Sequence, residues 1–161
     1  MAGRATENVL GPPTAPDNSA GADYESDFYS WSLDQARLLR EGQWGQLDRE
    51  NIAEEIESLG REQFNKLESA FRVLLMHILN WDHQAKRRSR SWVISIKDQR
   101  LAINHILADN PGLQPRIPEA LERAYSRARL AAAKETKLDE AVFPAHLAYG
   151  FNDIMTREFE L

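Results

Sequence analysis

The segment from Gln63 to Trp81 constrains the fold more than any other part of this sequence. Apolar residues recur in it at three- and four-residue spacing, and further apolar residues fill the faces between them in the later turns. The recurring set is Phe64, Leu67, Phe71, Leu74, Ile78 and Trp81, and the additional set is Val73, Leu75, Met76 and Leu79. A helix that is apolar on nearly every side is buried, so this segment belongs in the middle of a helical bundle.

Other segments with helical periodicity flank this central one. The first extends from about Asp27 to Glu41, with Ser26 or Asp27 as its cap and Gly42 as its end. Asp48 offers a cap for a second helix, and we expect that helix to continue through Gly60 with a possible bend. Further helices are predicted from Ser89 or Ser91 to about Ala108, and from Pro115 or Pro118 to Ala131 or Ala132.

No stretch alternates apolar and polar residues as a half-buried strand does. The sequence therefore predicts an all-α fold, a bundle of four to five main helices with a short irregular segment at its C-terminal side. Residues 24–161 are predicted to form a single helical domain. Residues 1–23 are rich in Gly, Pro, Ala and small polar residues, and they are predicted to be a disordered tail because they can bury too little to offset the entropy of ordering.

Composition excludes several classes of function. The 161 residues include no cysteine, which removes disulfides, thiolate nucleophiles and cysteine-ligated metals. The longest apolar run, Val73 to Leu79, is far shorter than the roughly 18 residues of a membrane span. No basic and apolar leader is visible, so a cytoplasmic location without membrane association is expected. The net charge of −5 argues against a nucleic-acid partner.

A row of glutamates suggests one possible metal site. Glu50, Glu54 and Glu57 share one helical face, where like charges repel unless something compensates them. Helical bundles hold metal ions with Glu and His from neighbouring helices, so Glu54, Glu57 and His77 form a candidate ligand set. The Glu-x-x-His pair that is typical of such sites is absent from the sequence. We therefore expect no cofactor, and a bound metal ion is the alternative.

Internal ion pairing is the simpler explanation of these charges. Residues 48–62 carry a net charge of −4, and residues 82–100 carry +4. Arginine binds carboxylates with a planar pair of donors, which makes it the better partner for a partly buried glutamate. The predicted structural network consists of Glu50, Glu54, Glu57, Arg88, Arg90 and Arg100.

The basic corner from Lys86 to Trp92 allows a third interpretation. Arg87, Arg88 and Arg90 lie near a predicted helix N-terminus and could bind a phosphate group, with Trp92 available to stack on a base. Trp92 also falls on the apolar stripe of its own helix with Ile96 and Ile103, which favours a role in the core. Short basic runs are usually solvated, so this site is an alternative.

Three stretches give the chain a resemblance to a known family. They are DFYSWSLDQARLLREGQWGQLDRENIAEEIESLG, then RRSRSW followed by IKDQR, and finally NPGLQPRI. In this order they resemble the bacterial family catalogued as domain of unknown function number twenty-nine, over nearly everything from Tyr24 onward. The resemblance implies an all-helical fold. It implies no activity, because the family has no assigned chemistry to carry over.

These observations favour a small non-catalytic interaction module. The sequence does not decide whether the protein is an enzyme, but it lacks the Gly-x-Ser-x-Gly, Gly-x-Gly-x-x-Gly and Walker-type motifs, and no catalytic residue is predicted. A protein partner or a second copy of the chain would bind an exposed apolar or charged face. The aromatic residues Tyr24, Phe28, Tyr29 and Trp44 are the candidates for that face, unless they pack the first helix onto the bundle.

Overall fold

The computed structural model describes residues 23–161, and within them it contains helices and turns but no β-strand. The all-α prediction is therefore confirmed. Short 3-10 turns separate the helices. The five α-helices in this range are α1 (Phe28–Arg40), α2 (Arg49–His83), α3 (Arg90–Asp109), α4 (Ile117–Thr136) and α5 (Phe151–Thr156). None of these helices combines the length and the apolar character needed to cross a membrane.

Two compact units divide the chain, one ending at Glu55 and the other covering Ile56–Leu161. The prediction of one helical domain over residues 24–161 stays a prediction. The predicted tail, residues 1–23, lies outside the described residues except for Asp23.

The first unit contains α1 and the opening turns of α2. Asp27 caps α1, because its carboxylate accepts a hydrogen bond of 3.0 Å from the backbone N–H of Ser30. After α1 the chain turns at Gly42, which has a φ of 70°, a conformation that favours glycine. Asp48 precedes α2, and its carboxylate accepts a hydrogen bond from the backbone N–H of Asn51. The predicted caps Asp27 and Asp48 are thus confirmed.

The core of the second unit is built around α2. Phe64, Leu67, Phe71, Leu74, Ile78 and Trp81 are all buried, as the apolar periodicity predicts. Gly60 interrupts neither the hydrogen bonding nor the length of α2, which is a single helix of 35 residues. The expected continuity through Gly60 is therefore confirmed, and the two apolar segments on either side of it belong to one helix.

The helices α3 and α4 complete this core. Ser89 caps α3 through the backbone N–H of Trp92, and Ile96, Ile103 and Leu107 are its buried residues. In α4, Pro118 occupies the first turn and the small residues of the buried stripe are Ala120, Ala124, Ala128 and Ala132. Small side chains let a neighbouring helix approach closely, which brings the residues beside the stripe near that neighbour.

The segment after α4 is irregular, as predicted, and it packs on the core of the second unit. Phe143, Ile154 and Phe159 are buried within it. The Tyr125 hydroxyl donates a 2.9 Å hydrogen bond to the carbonyl of Pro144. Phe159 meets Trp81 edge to face, with 5.4 Å between ring centroids. The segment is thus attached by aromatic packing and by side-chain bonds to its main chain.

Candidate interaction surface

An aromatic cluster organises the first unit. The ring of Trp31 lies 4.8 Å from that of Tyr24 and 5.6 Å from that of Phe28, measured between centroids. Trp31 is buried, and its indole N–H donates a 3.2 Å hydrogen bond to a carboxylate oxygen of Asp48. An indole N–H that leaves water needs such an acceptor, so the bond fixes the orientation of the ring. The cluster therefore joins α1 to the start of α2.

Asp48 receives several hydrogen bonds at this point. Besides Trp31, the side-chain amide of Asn51 donates to its carboxylate at 2.7 Å. The backbone N–H of Asp48 in turn donates to the side-chain oxygen of Gln35 on α1, at 2.9 Å. The hydrogen bond from Asn51 is the main cause of a lowered pKa of Asp48, which partial burial opposes. Asp48 is thus held as a carboxylate that connects the two helices of the unit.

A second polar bond joins the two ends of the first unit. The Tyr24 hydroxyl donates to a carboxylate oxygen of Glu55 at 2.6 Å. This hydrogen bond, together with the nearby negative charge, raises the pKa of Tyr24 to about 12. Tyr24 is half-buried and its hydroxyl is bonded within the unit, so of the four predicted surface aromatics it is used for packing.

Several large apolar residues of this unit face solvent. Their exposed fractions are 50% for Phe28, 73% for Tyr29, 55% for Leu33 and 61% for Trp44. On α1, Tyr29 and Leu33 lie on roughly the opposite side of the helix from the buried Trp31 and Leu38, at about 100° per residue. We call Phe28, Tyr29, Leu33 and Trp44 the apolar surface. Contiguous exposed apolar patches mark binding sites, whereas single exposed apolar residues are common on protein surfaces.

The segment that carries the apolar surface is acidic. Residues 23–55 include nine acidic and three basic side chains, a net charge of −6, whereas residues 56–161 carry +2. The two arginines of α1 nearest its end are Arg37 and Arg40, and Arg37 is already paired with Glu41 at 2.9 Å. The unit therefore presents aromatic and aliphatic groups within a negative potential.

The candidate metal ligands are not brought together. Glu57 and His77 lie on the same helix, α2, and 20 positions at 1.5 Å each separate them by about 30 Å. Glu54 and Glu57 are exposed, and Glu57 faces Arg61 at 3.6 Å. Burial lowers the pKa of His77, against the opposing charge of Glu135, so its ring is neutral. Within residues 23–161, no group of three or more His, Asp or Glu is placed to hold a metal ion.

The arginines of the predicted network have other partners. Arg88 donates to the main-chain carbonyl of Trp81 at 3.1 Å, and its guanidinium lies 4.9 Å from the centre of that ring. Arg100 donates to the carbonyls of Ile154 and Arg157, each at 2.8 Å. The structure thus does not bring Arg88 and Arg100 together with Glu57. Glu50 and Glu54 are exposed residues of the first unit, and for them the network stays a prediction.

Some, but not all, arginines of the basic corner are exposed as phosphate binding requires. Arg87 is exposed and lines an open pocket of about 480 Å³, and Arg90 is exposed at the first turn of α3. Arg88, however, is engaged by the carbonyl and ring of Trp81. Trp92 is half-buried and packs against the core. Arg87 and Arg90 are therefore the exposed arginines of this corner that have no such contact, and its role in phosphate binding stays a prediction.

The best-connected polar cluster was not predicted from the sequence. Arg157 forms an ion pair with Asp82, donating to both carboxylate oxygens, and the Tyr149 hydroxyl donates to the same carboxylate at 2.7 Å. Burial alone would raise the pKa of Asp82, but the hydrogen bonds from Arg157 and Tyr149 outweigh it and lower the pKa. Burial and the bond to Asp82 raise the pKa of Tyr149. These groups hold the C-terminal segment on α2.

Fold and surface together define an all-helical protein with an exposed, acidic and apolar surface in its first unit. The family model described as domain of unknown function DUF29 matches residues 24–160, and the chain belongs to that family. No curated protein and no solved structure matches the chain. The family description names no activity.

Proposed function

We propose that this protein is a non-catalytic interaction module that binds a protein partner through the apolar surface of its first unit. One observation carries the proposal: Phe28, Tyr29, Leu33 and Trp44 are each at least half exposed, although each is large and apolar. Leaving such side chains in water forgoes roughly 1.5–3 kcal/mol for each one that could be buried. A partner that covers them recovers that free energy.

The residue types support binding rather than incidental exposure. Tyrosine and tryptophan are the commonest anchors of protein interfaces, because they bury a large area with few rotatable bonds and keep a polar group for the rim. Helix α1 presents Tyr29 and Leu33 one turn apart, and the hydrogen bonds of Asp48 hold the opposite side of α1 through Trp31. The side chains are therefore offered on an ordered helix, which lowers the entropic cost of binding.

The charge of the unit defines the chemistry of the partner. With nine acidic and three basic residues, residues 23–55 attract a surface that combines apolar side chains with lysine or arginine. The basic groups would increase the association rate and make it depend on salt, while the apolar contacts would supply the affinity. A cytoplasmic partner is part of the proposal and suits a chain without cysteine.

The test joins identification of the partner to a matched pair of variants. A photo-crosslinking amino acid at position 29 identifies the protein bound in cells, and that purified protein is then titrated against the chain by calorimetry. The double variant Tyr29→Ser with Trp44→Ser removes two anchors. The control, Ile94→Ser with Leu101→Ser, removes two equally exposed apolar side chains from α3.

We expect at least a hundredfold weaker binding for the first double variant, since each anchor contributes about 2 kcal/mol. The control should bind within about threefold of the unchanged chain. Equal losses in both variants, or no adduct in cells, would contradict the proposal. An adduct with a second copy of the chain, or a partner without basic residues at the contact, would overturn the assigned partner chemistry.

A further inference from the structure

A polar groove runs between α2 and α4 within the second unit. Its volume is about 730 Å³, and it is open to solvent along one side. It is lined by Asn65, Glu68, Ser69, Arg72, Arg123, Arg127 and Leu130. A volume of this size lies in the range of small-molecule sites, and three of the seven lining residues are arginines.

Helix geometry explains why these residues converge. Asn65, Ser69 and Arg72 follow the spacing i, i+4 and i+7 on α2, so they form one ridge. Arg123, Arg127 and Leu130 have the same spacing on α4 and form the facing ridge. The alanine stripe of α4 lets the two helices lie close, which brings the polar ridge of α2 near the arginines of α4.

The charges in the groove are unbalanced. Three arginines and one carboxylate, that of Glu68, line the groove, and the side chain of Glu68 is 15% exposed. The distance from Glu68 to the guanidinium of Arg127 is 3.9 Å, longer than a hydrogen bond. Arg72 forms no ion pair within residues 23–161. The groove therefore carries a local charge of about +2 on a chain whose net charge is −5.

The third arginine is held in position at the end of the groove. Arg123 pairs with Glu119 at 2.8 Å, and its guanidinium lies 5.3 Å from the centre of the Phe64 ring. Glu119 also accepts from Arg116, which stacks at 3.9 Å over the same ring. A guanidinium has five N–H donors, so the contact of Arg123 with Glu119 leaves donors for a ligand.

From these contacts we infer that the groove between α2 and α4 binds the phosphoryl group of a small phosphorylated ligand. Arg72, Arg123 and Arg127 supply paired N–H donors that match the oxygens of a phosphate, which is the geometry in which arginine binds best. Asn65, Ser69 and Glu68 lie beside them and bind hydroxyl groups of the same ligand, since a carboxylate accepts from a hydroxyl and would repel a second anion.

The lining distinguishes a small ligand from a nucleic acid. Proteins that hold single strands stack bases on aromatic side chains, and none of the groove's lining residues within 23–161 is aromatic. Leu130 provides the apolar contact at one end, enough for a short carbon skeleton. The inference is independent of the partner surface of the first unit, because it rests on other residues and another ligand.

Isothermal titration at constant ionic strength tests the assignment. The probes are inorganic phosphate and glycerol 3-phosphate. Sodium chloride is lowered as each probe is added, so that the ionic strength stays constant, and sodium chloride alone is titrated as a control. Arg72→Gln and Arg127→Gln remove one donor pair each. The matched control is Arg61→Gln, an exposed arginine on the same helix that faces Glu57 and lies outside the groove. Arg72→Lys keeps the charge and the aliphatic stem, and circular dichroism verifies that each variant folds.

We expect saturable binding of both probes, with glycerol 3-phosphate the tighter one. Arg72→Gln and Arg127→Gln should each weaken binding about tenfold or more, as the loss of a charge-assisted hydrogen bond predicts. Arg72→Lys should fall between the unchanged chain and Arg72→Gln, and Arg61→Gln should differ by less than twofold. Heats that chloride reproduces, an absence of saturation, or an equal loss in Arg61→Gln would overturn the inference. Equal affinity for the two probes would contradict the assignment of Asn65, Ser69 and Glu68 to the hydroxyl groups of the ligand.

Discussion

Different interactions stabilise the interior of each of the two units. In the second unit, 22 buried apolar residues form one connected core around α2. Among the described residues of the first unit, the buried apolar ones are Trp31 and Leu38. The ring contacts of Trp31 and a few polar bonds, from Trp31 to Asp48 and from Asp48 to Gln35, hold this unit together. A hydrogen bond contributes about 1 kcal/mol net, whereas a fully buried large apolar side chain contributes roughly 1.5–3 kcal/mol.

This difference indicates where binding can occur without disturbing the fold. A region that is ordered by a few directed bonds can leave its large apolar side chains in solvent, because they are not needed for its core. Tyr29, Leu33 and Trp44 are such side chains, whereas Phe28 is half exposed and also packs against Trp31. In the second unit, aromatic side chains such as Phe71 and Trp81 are buried, although aliphatic ones such as Ile94 are exposed there too.

The strongest test of this comparison is the variant Phe71→Ala. Phe71 is fully buried and meets the ring of Phe151 edge to face at 6.2 Å, so its removal leaves a cavity in the core. We expect a loss of about 3–5 kcal/mol in the free energy of unfolding, measured by urea denaturation. The control Leu101→Ala truncates an exposed residue of α3 and should change stability by less than about 0.5 kcal/mol. Similar losses in both variants would contradict the assigned core.

An intermediate effect is expected for Asp82→Asn. The change leaves the guanidinium of Arg157 without its carboxylate in a partly buried place, and it should cost about 2 kcal/mol at pH 7. Because the pKa of Asp82 is lowered from 3.8, its contribution is complete well above that pH and disappears as the pH falls through the folded-state pKa. The difference between the variant and the unchanged chain should therefore narrow below about pH 3.8.

Chemical denaturation at a series of pH values measures this effect. The control Asp98→Asn alters an exposed carboxylate on α3 whose neighbour is Gln99, and it should leave stability nearly unchanged. A constant difference between Asp82→Asn and the unchanged chain from pH 7 to pH 3 would show that the charge of Asp82 is not what holds the C-terminal segment.

The smallest effect is expected in the first unit, for Asp48→Ala. The change removes the acceptor of the Trp31 indole and the cap of α2 together. We expect severalfold faster hydrogen exchange of amides in α1 and in the opening turn of α2, with exchange around Phe71 unaffected. Mass spectrometry of peptides from the exchanged protein resolves these regions. Faster exchange in the core of the second unit as well would show that the two units do not differ as described.

The elements of the fold were predictable because local chemistry specifies them. Asp27, Asp48 and Ser89 cap helices in the structure as their side chains predict. The three- and four-residue periodicity after Gln63 predicts the buried side of α2. The sequence left open whether the helix bends or breaks at Gly60. The helix continues through it, because one glycine costs only about 1 kcal/mol in a helix.

Side-chain pairing was less predictable, because net charge does not specify geometry. The opposite charges of residues 48–62 and 82–100 suggested mutual pairing, but Arg88 and Arg100 bind main-chain carbonyls instead. Which carbonyl faces a guanidinium depends on the path of an irregular segment, and no periodicity describes that path. The groove between α2 and α4 was missed for a related reason, since Arg72 and Arg127 become neighbours only when the two helices pack.

The bond between Asp82 and the C-terminal segment has a consequence for synthesis. Its partners Tyr149 and Arg157 follow it by 67 and 75 positions along the chain. A ribosome adds roughly 5–20 residues per second, so Asp82 remains without them for several seconds. During that interval the carboxylate of Asp82 has only water as a partner in place of Tyr149 and Arg157.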